Sequence, residues 1–204
     1  MIYVTDGINY YMKNKKIIKG RVVWLTGLSC SGKTTISKEL MKYFKKNKLP
    51  VQWLDGDVVR KTINKDLGFS KKDRDENIER VTHIAQMLAE NGVNVVAAFV
   101  SPYRKMRNFA RKICPNFIEV YVECDIKECI RRDTKGLYKK ALAGKIRDFT
   151  GIQDPYELPK KPEIIINTEG KKAGESAREL ISRLERLARW PKYTDHINDN
   201  STRS

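Results

Sequence analysis

The chain has 204 residues, with little histidine and comparatively little acid. His83 and His196 are its two histidines, and 25 Asp and Glu stand against 41 Lys and Arg. The four cysteines, Cys30, Cys114, Cys124 and Cys129, form no C-x-x-C pair. These shortages argue against a zinc site. No secretory signal accompanies the cysteines, so reduced thiols are the expected state. No apolar run approaches the ~20 residues of a membrane span. The first twenty residues lack the basic, apolar, small-residue order of a signal peptide, and a cytoplasmic address is the default expectation. Internal repeats and low-complexity linkers are also missing. The length therefore suits one domain with a real core.

What is abundant is positive charge, +16 in formal terms. Such a surplus attracts polyanions. The basic residues are spread along the chain and form no single run with interleaved aromatics. A lysine-rich solvated surface is the expectation, with no nucleic-acid partner and no membrane partner. Part of the surplus suits a small substrate carrying several negative charges.

The segment Gly27-Leu28-Ser29-Cys30-Ser31-Gly32-Lys33-Thr34 fits the phosphate-loop pattern G-x-x-x-x-G-K-[ST] at every fixed position. Val22 to Thr26 before it has the composition of a buried strand, and Thr35 to Asn47 after it has a helical pattern. The glycines let the backbone wrap an anion with its N–H groups inward. The helix start adds unpaired N–H groups and the positive end of a dipole. Lys33 would reach the β- and γ-phosphates, and the Thr34 hydroxyl would ligate Mg²⁺. A structural Gly-rich turn is the alternative; the strand–loop–helix context favours a nucleoside-triphosphate site. Cys30 is a thiol inside that loop, where oxidation would block a nucleotide.

Short apolar runs alternate with helical patterns from residue 21 onward. Strands are predicted at 22–26, 51–54, 93–100, 117–122 and 163–166. Helices are predicted at 34–47, 72–91, 104–113, 126–133 and about 173–189. This alternation implies an α/β fold, a parallel sheet covered on both faces. Residues 1–20, with Tyr3, Tyr10 and Tyr11, have the character of a partly docked arm compatible with a homodimer. Residues 21–189 form the domain, and 190–204 are a polar tail expected to fray.

Leu54-Asp55-Gly56-Asp57-Val58-Val59-Arg60 ends the second strand. In open parallel sheets, ligands sit beyond the carboxyl ends of strands. Two carboxylates at i, i+2 on a strand share a face. Asp55 is assigned to the metal shell and Asp57 to the base that accepts a proton from an attacking hydroxyl. A turn built from Asp and Gly is the bland alternative.

At this point the chain resembles the adenylylsulfate kinase family over residues 21 to about 185. The phosphate loop matches, with Cys30 where many members have Gly. Leu54 to Arg60 is similar to L-D-G-D-N-[VI]-R, with Val58 replacing Asn. Asn64 to Ser70 is similar to N-x-D-L-G-F-S. Arg74, Glu76-Asn77-Ile78 and Arg80 follow the next motif, with Glu79 replacing an Arg. Phe99 to Tyr103 resembles F-[IV]-S-P-[FY]. Arg132-Asp133, Lys135 to Ala141, Phe149 to Ile152, Asp154 to Glu157 and Pro162-Glu163 continue the order.

The resemblance implies a three-layer P-loop kinase fold with a mobile lid. It implies transfer of the ATP γ-phosphate, with Mg²⁺, to the 3′-hydroxyl of adenosine 5′-phosphosulfate, in sulfate activation. ATP would contact Gly27 through Thr34, Thr35 and Arg132, whose guanidinium packs on adenine. The acceptor would contact Asp57, Arg60, Phe69, Arg74, Asn77, Arg80, Val100, Ser101, Lys135 and Phe149. Phe69 and Phe149 would stack on its adenine, and the cations would clamp its phosphosulfate. Lys139, Lys140, Lys145 and Arg147 would make a basic lid that excludes water.

Ser101 is marked in the family as a phosphoserine intermediate. No local His activates it, and in-line transfer needs no covalent step. It is expected instead to face the cleft and contact ligand. Glu79 is expected to pair with His83 or Arg80. The rivals are a kinase of another nucleotide conjugate, a GTPase-like switch and a nucleic-acid module. Asn64-Lys65-Asp66 resembles the guanine-reading N-K-x-D element, but Leu67 stands where its Asp belongs.

Overall fold

The structure, a computed structural model, describes residues 18–188. The expectations for Tyr3, Tyr10, Tyr11 and the polar tail lie outside those residues. Among the described residues, five strands form one parallel sheet in the order β2-β3-β1-β4-β5: β1 (Val22–Thr26), β2 (Val51–Asp55), β3 (Asn94–Ala98), β4 (Phe117–Glu123) and β5 (Ile164–Asn167). Seven helices accompany them: α1 (Lys33–Lys46), α2 (Gly56–Lys61), α3 (Lys71–Glu90), α4 (Arg104–Ile113), α5 (Ile126–Arg132), α6 (Leu137–Leu142) and α7 (Ala173–Ala188). No helix among the described residues is long and apolar enough to cross a membrane.

The alternation of side chains along β1 builds two cores. Val22 and Trp24 pack with Ile78, Val81, Ala85 and Met106 of α3 and α4. Val23 and Leu25 pack on the other face with Ile36, Leu40 and Phe44 of α1 and Leu180 and Leu184 of α7. The i, i+4, i+8 spacing of Ile36, Leu40 and Phe44 gives α1 its buried stripe. All five residues of β1 are buried, as a central strand covered on both faces requires.

The predicted strand over 93–100 is shorter, Asn94–Ala98, because the chain turns toward Ser101 in a left-handed conformation (φ 38°). Arg107 holds that turn. Its guanidinium is 2 % exposed, pairs with Glu119 at 2.8 Å, and donates to the Ser101 carbonyl at 2.6 Å and the Glu157 carbonyl at 2.5 Å. Glu119 also takes Arg111 at 3.0 Å, so two cations satisfy its buried carboxylate.

Two short helices, α2 and α6, were not among the predicted elements. Each has six residues, too few to display a helical period. The consequence at α2 is a correction: Asp55 ends β2, but Asp57 lies in the first turn of a helix. The same-face rule for strands does not relate the two.

Gly20, assigned to the arm, is buried against the sheet. Its N–H donates to Ala89 O at 2.7 Å, and a β-carbon there would lie 2.2 Å from Val93 O. Backbone cannot yield as a flexible side chain can. Gly20→Ala is expected to destabilise the fold by about 1–3 kcal/mol, read as a lowered denaturation midpoint at unchanged slope. An unaltered midpoint would mean that the segment is not held there.

Candidate active site

The phosphate loop lies at the carboxyl end of the central strand and feeds directly into α1. Gly32 precedes α1 with φ 102°, no side chain caps the helix, and its first turn holds no acid. The N–H groups and the dipole therefore face the loop with no acid from the helix's own first turn beside them. Gly27 has no room for a side chain, since a β-carbon would meet Val122 O at 2.5 Å. Cys30 adopts φ 60°, a left-handed conformation in which glycine is the easier residue. Lys33 Nζ donates to Gly27 O at 2.9 Å and Leu28 O at 2.7 Å. Burial lowers the Lys33 pKa to about 8, against the opposing pull of Cys129, Cys30, Asp57 and Asp55.

Asp55 joins the loop to β2. Its Oδ2 accepts from Thr34 Oγ1 at 3.1 Å, and its Oδ1 accepts the Asp57 N–H at 3.0 Å as the cap of α2. A hydroxyl and a buried carboxylate thus meet at the end of the loop. Asp57 is exposed, and its carboxylate pairs with Lys135 from the segment before α6.

Arg74, near the start of α3, draws together segments expected to contact the acceptor. Its Nε donates to Phe69 O at 2.9 Å, one terminal nitrogen reaches Asp154 at 2.7 Å and Thr150 Oγ1, and the other reaches Asp148 O. The Phe69 turn and the Phe149 segment therefore flank one guanidinium. Phe69 is 60 % exposed and carries Arg60 over its ring at 4.5 Å. Phe149 packs edge-on against Tyr138, 5.0 Å between centroids. Asn77 is buried, and Asn64 Nδ2 takes its side-chain oxygen at 3.0 Å.

Several expectations are corrected. Ser101 does not face the cleft. Its Oγ is buried, accepts from Trp24 Nε1 at 3.0 Å and donates to Thr26 Oγ1 at 3.1 Å, because the left-handed turn swings it inward. Neighbouring Val100 offers its carbonyl to Thr26 Oγ1 at 2.8 Å. Arg80 pairs with Glu76 at 2.8 Å and Asp66 at 2.9 Å, not with Glu79. Glu76 is one helical turn before Arg80, whereas Glu79 is its immediate neighbour and points elsewhere. His83 packs edge-on against Phe109. Lys139, Lys140, Lys145 and Arg147 are all exposed.

A cavity of about 650 Å³ runs outward from the loop. Ser29, Cys30, Gly32, Lys33, Thr34 and Thr35 line it from the loop side, together with Arg132, Thr168 and Lys171. Arg132 donates to Glu128 at 2.8 Å and twice to Thr168, at 3.1 and 2.8 Å. A hollow of about 840 Å³ lies beyond Leu28, lined by Tyr121, Glu123, Asp125, Asp154, Tyr156 and Glu169 among others. Its carboxylate-rich wall does not suit a polyphosphate. Leu28 lines this hollow and Ser31 is buried, so neither side chain lines the loop cavity. Thr168 and Asp154 received no role from sequence. The signal available for Thr168 was a lone hydroxyl just past the end of an apolar strand, where ligands gather.

A phosphate loop on the central strand of a 2-3-1-4-5 parallel sheet, with a helix capped by Asp55 at the next strand and a basic lid sequence, defines a P-loop kinase. The adenylylsulphate kinase family model matches residues 19–167. The adenylyl-sulfate kinase of Halothermothrix orenii is 48 % identical over 174 residues, covering 85 % of this chain and 92 % of that one. A probable adenylyl-sulfate kinase of Pseudomonas aeruginosa is 49 % identical over 164 residues, 80 % and 77 % of the two chains. The Mycobacterium tuberculosis APS kinase in complex with AMPPNP and APS superposes with a TM-score of 0.78 at 40 % identity, covering 82 % of this chain and 98 % of that one. The chain belongs to the adenylylsulphate kinase family.

The depressed Lys33 pKa carries a pH dependence. Below about 8 the ammonium is charged and attracts phosphate; above it the free protein holds a neutral amine, and binding must take up a proton. The Kd for MgATP is expected to be flat near neutrality and to rise above pH 8, by up to about tenfold per unit. Titration calorimetry across that range checks it. Lys33→Ala should bind more weakly and lose the step; a step that persists would belong to another group.

Proposed function

We propose that this chain transfers the γ-phosphate of ATP to the 3′-hydroxyl of adenosine 5′-phosphosulfate, giving 3′-phosphoadenylyl sulfate and ADP. The observation that carries this is the junction of Thr34, Asp55 and Asp57 at the mouth of the phosphate loop, in a chain of this family. The donor triphosphate lies along the loop, with its phosphates on the backbone N–H groups and Lys33. Its base lies toward Arg132. The acceptor enters between the Phe69 turn and the Phe149 segment, where Arg60, Arg74 and Lys135 supply positive charge.

The Thr34 hydroxyl and the Asp55 carboxylate, 3.1 Å apart, are hard oxygen donors. They fit Mg²⁺, which takes few protein ligands and completes its shell with water and phosphate. When bound, Mg²⁺ supplies charge neutralisation across the β- and γ-phosphates. Asp57 orients the 3′-hydroxyl and takes its proton as the phosphoryl group moves in line. Lys135, from the lid sequence, already pairs with Asp57, so a cation stands beside the base when the lid excludes water. Ser101 serves this reading from behind, by fixing the end of β1, and forms no phosphoryl intermediate. A homodimer is part of this reading, and sedimentation of the full chain checks it. The reading fits a cytoplasmic enzyme.

Asp57→Ala is expected to lower turnover by about 10²–10⁴-fold while MgATP affinity stays within a few-fold. Coupled ADP release with adenosine 5′-phosphosulfate measures the first and calorimetry the second. Near-normal turnover removes Asp57 from the chemistry. A panel of nucleotide acceptors belongs in the same assay. Turnover of another nucleotide, with none of adenosine 5′-phosphosulfate, overturns the substrate.

A further inference from the structure

We propose that Thr168 is a positioning residue for the donor nucleotide, holding the plane of the Arg132 guanidinium against the purine. The inference rests on the reading that Arg132 meets the base of ATP. Thr168 follows β5 directly and is 5 % exposed. Its N–H donates to Glu123 O at 3.1 Å, which fixes it to the end of β4. Its hydroxyl donates to Ser31 O at 3.0 Å, inside the phosphate loop. The same oxygen accepts from one terminal nitrogen of Arg132 at 3.1 Å, and the Thr168 carbonyl accepts from the other at 2.8 Å. With Glu128 on Nε at 2.8 Å, three of the five donors of a planar group are fixed. A guanidinium so held cannot rotate, and a flat cation is useful to a base only when its plane is set.

The hydroxyl has a single proton and two carbonyls in reach, Ser31 O at 3.0 Å and Glu123 O at 3.3 Å. Given to Ser31 O, it leaves a lone pair turned to Arg132, so the two bonds reinforce each other. The side chain thereby links Arg132 to the phosphate loop. Valine keeps the shape of threonine and removes both bonds. Serine keeps both bonds and removes the methyl group.

The test compares Thr168→Val, Thr168→Ser and Arg132→Ala, singly and combined, by KM and Kd for MgATP and by competition with inorganic tripolyphosphate. Thr168→Val should raise the KM and Kd for MgATP about five- to tenfold, the net worth of one hydrogen bond, with kcat within about twofold. Thr168→Ser should restore most of the affinity. In the Arg132→Ala background Thr168→Val should add nothing, because the two residues act as one unit. Tripolyphosphate, which has no base, should lose much less affinity than MgATP in Thr168→Val. Unchanged ATP affinity in Thr168→Val, full additivity with Arg132→Ala, or an equal loss for tripolyphosphate each overturns the proposal. If the valine variant does not fold, Thr168→Ala carries the same comparison. Failure of the wild-type chain to use adenosine 5′-phosphosulfate would sink the proposed acceptor and leave these binding measurements to decide Thr168.

Discussion

The site depends on the hydrogen-bond ladders that hold β1 between β3 and β4. A strand with neighbours on both sides and helices on both faces has no freedom to shift, so the loop that leaves it starts from a fixed point. The last residue of β1, Thr26, carries that rigidity upward. Its hydroxyl donates to Val100 O, receives Ser101 Oγ, and lies 2.9 Å from the Tyr156 hydroxyl. Trp24, stacked on Phe99 in the core, closes the chain through Ser101. Gly27 then threads past the Val122 carbonyl, a passage open only to glycine. The left-handed turn at Ser101 is unfavourable on its own; Arg107, neutralised by Glu119, holds it in place.

The fold was largely legible because a buried parallel sheet writes itself into the chain as apolar runs of β-branched residues, each followed by a helical stripe. Val22 to Thr26 and Ile164 to Ile166 show the first, and Ile36, Leu40 and Phe44 show the second. The phosphate loop was legible because its chemistry is local: strand, glycines, lysine and helix follow in order. The proposed acceptor side rests on resemblance apart from Asp57, and Asp57 shows how local geometry escapes a reading of the sequence. Its neighbour Asp55 caps a helix too short to have a period, and the turn from strand to helix rotates the second carboxylate away from the first. Thr168 and Asp154 act through partners 36 and 80 residues distant. Nothing in their own neighbourhoods announces those bonds.

The surplus of positive charge has a different meaning inside the site than on the surface. Each cation assigned to a ligand already has a protein partner. Lys33 holds two loop carbonyls, Arg60 holds Gly68 O at 2.7 Å, Arg80 holds Glu76 and Asp66, Arg132 holds Glu128 and Thr168, and Lys135 holds Asp57. Such anchoring keeps the charges apart from one another and oriented before any anion arrives. That arrangement spares reorganisation at the moment of reaction. The exposed Lys139, Lys140 and Lys145 lack this anchoring and contribute field more than geometry.

Arg74 takes the same arrangement furthest. Four of its five N–H donors are engaged by Phe69, Thr150, Asp154 and Asp148. An anion that claims more than the remaining donor must displace one of these groups. Three of the four belong to the segment carrying Phe149. The grip on an arriving anion and the hold on that segment are therefore competing claims on one group, and each weakens the other by the same factor. An affinity measured there is a difference between two sets of bonds. A change that loosens the segment can tighten the hold on an anion without touching it.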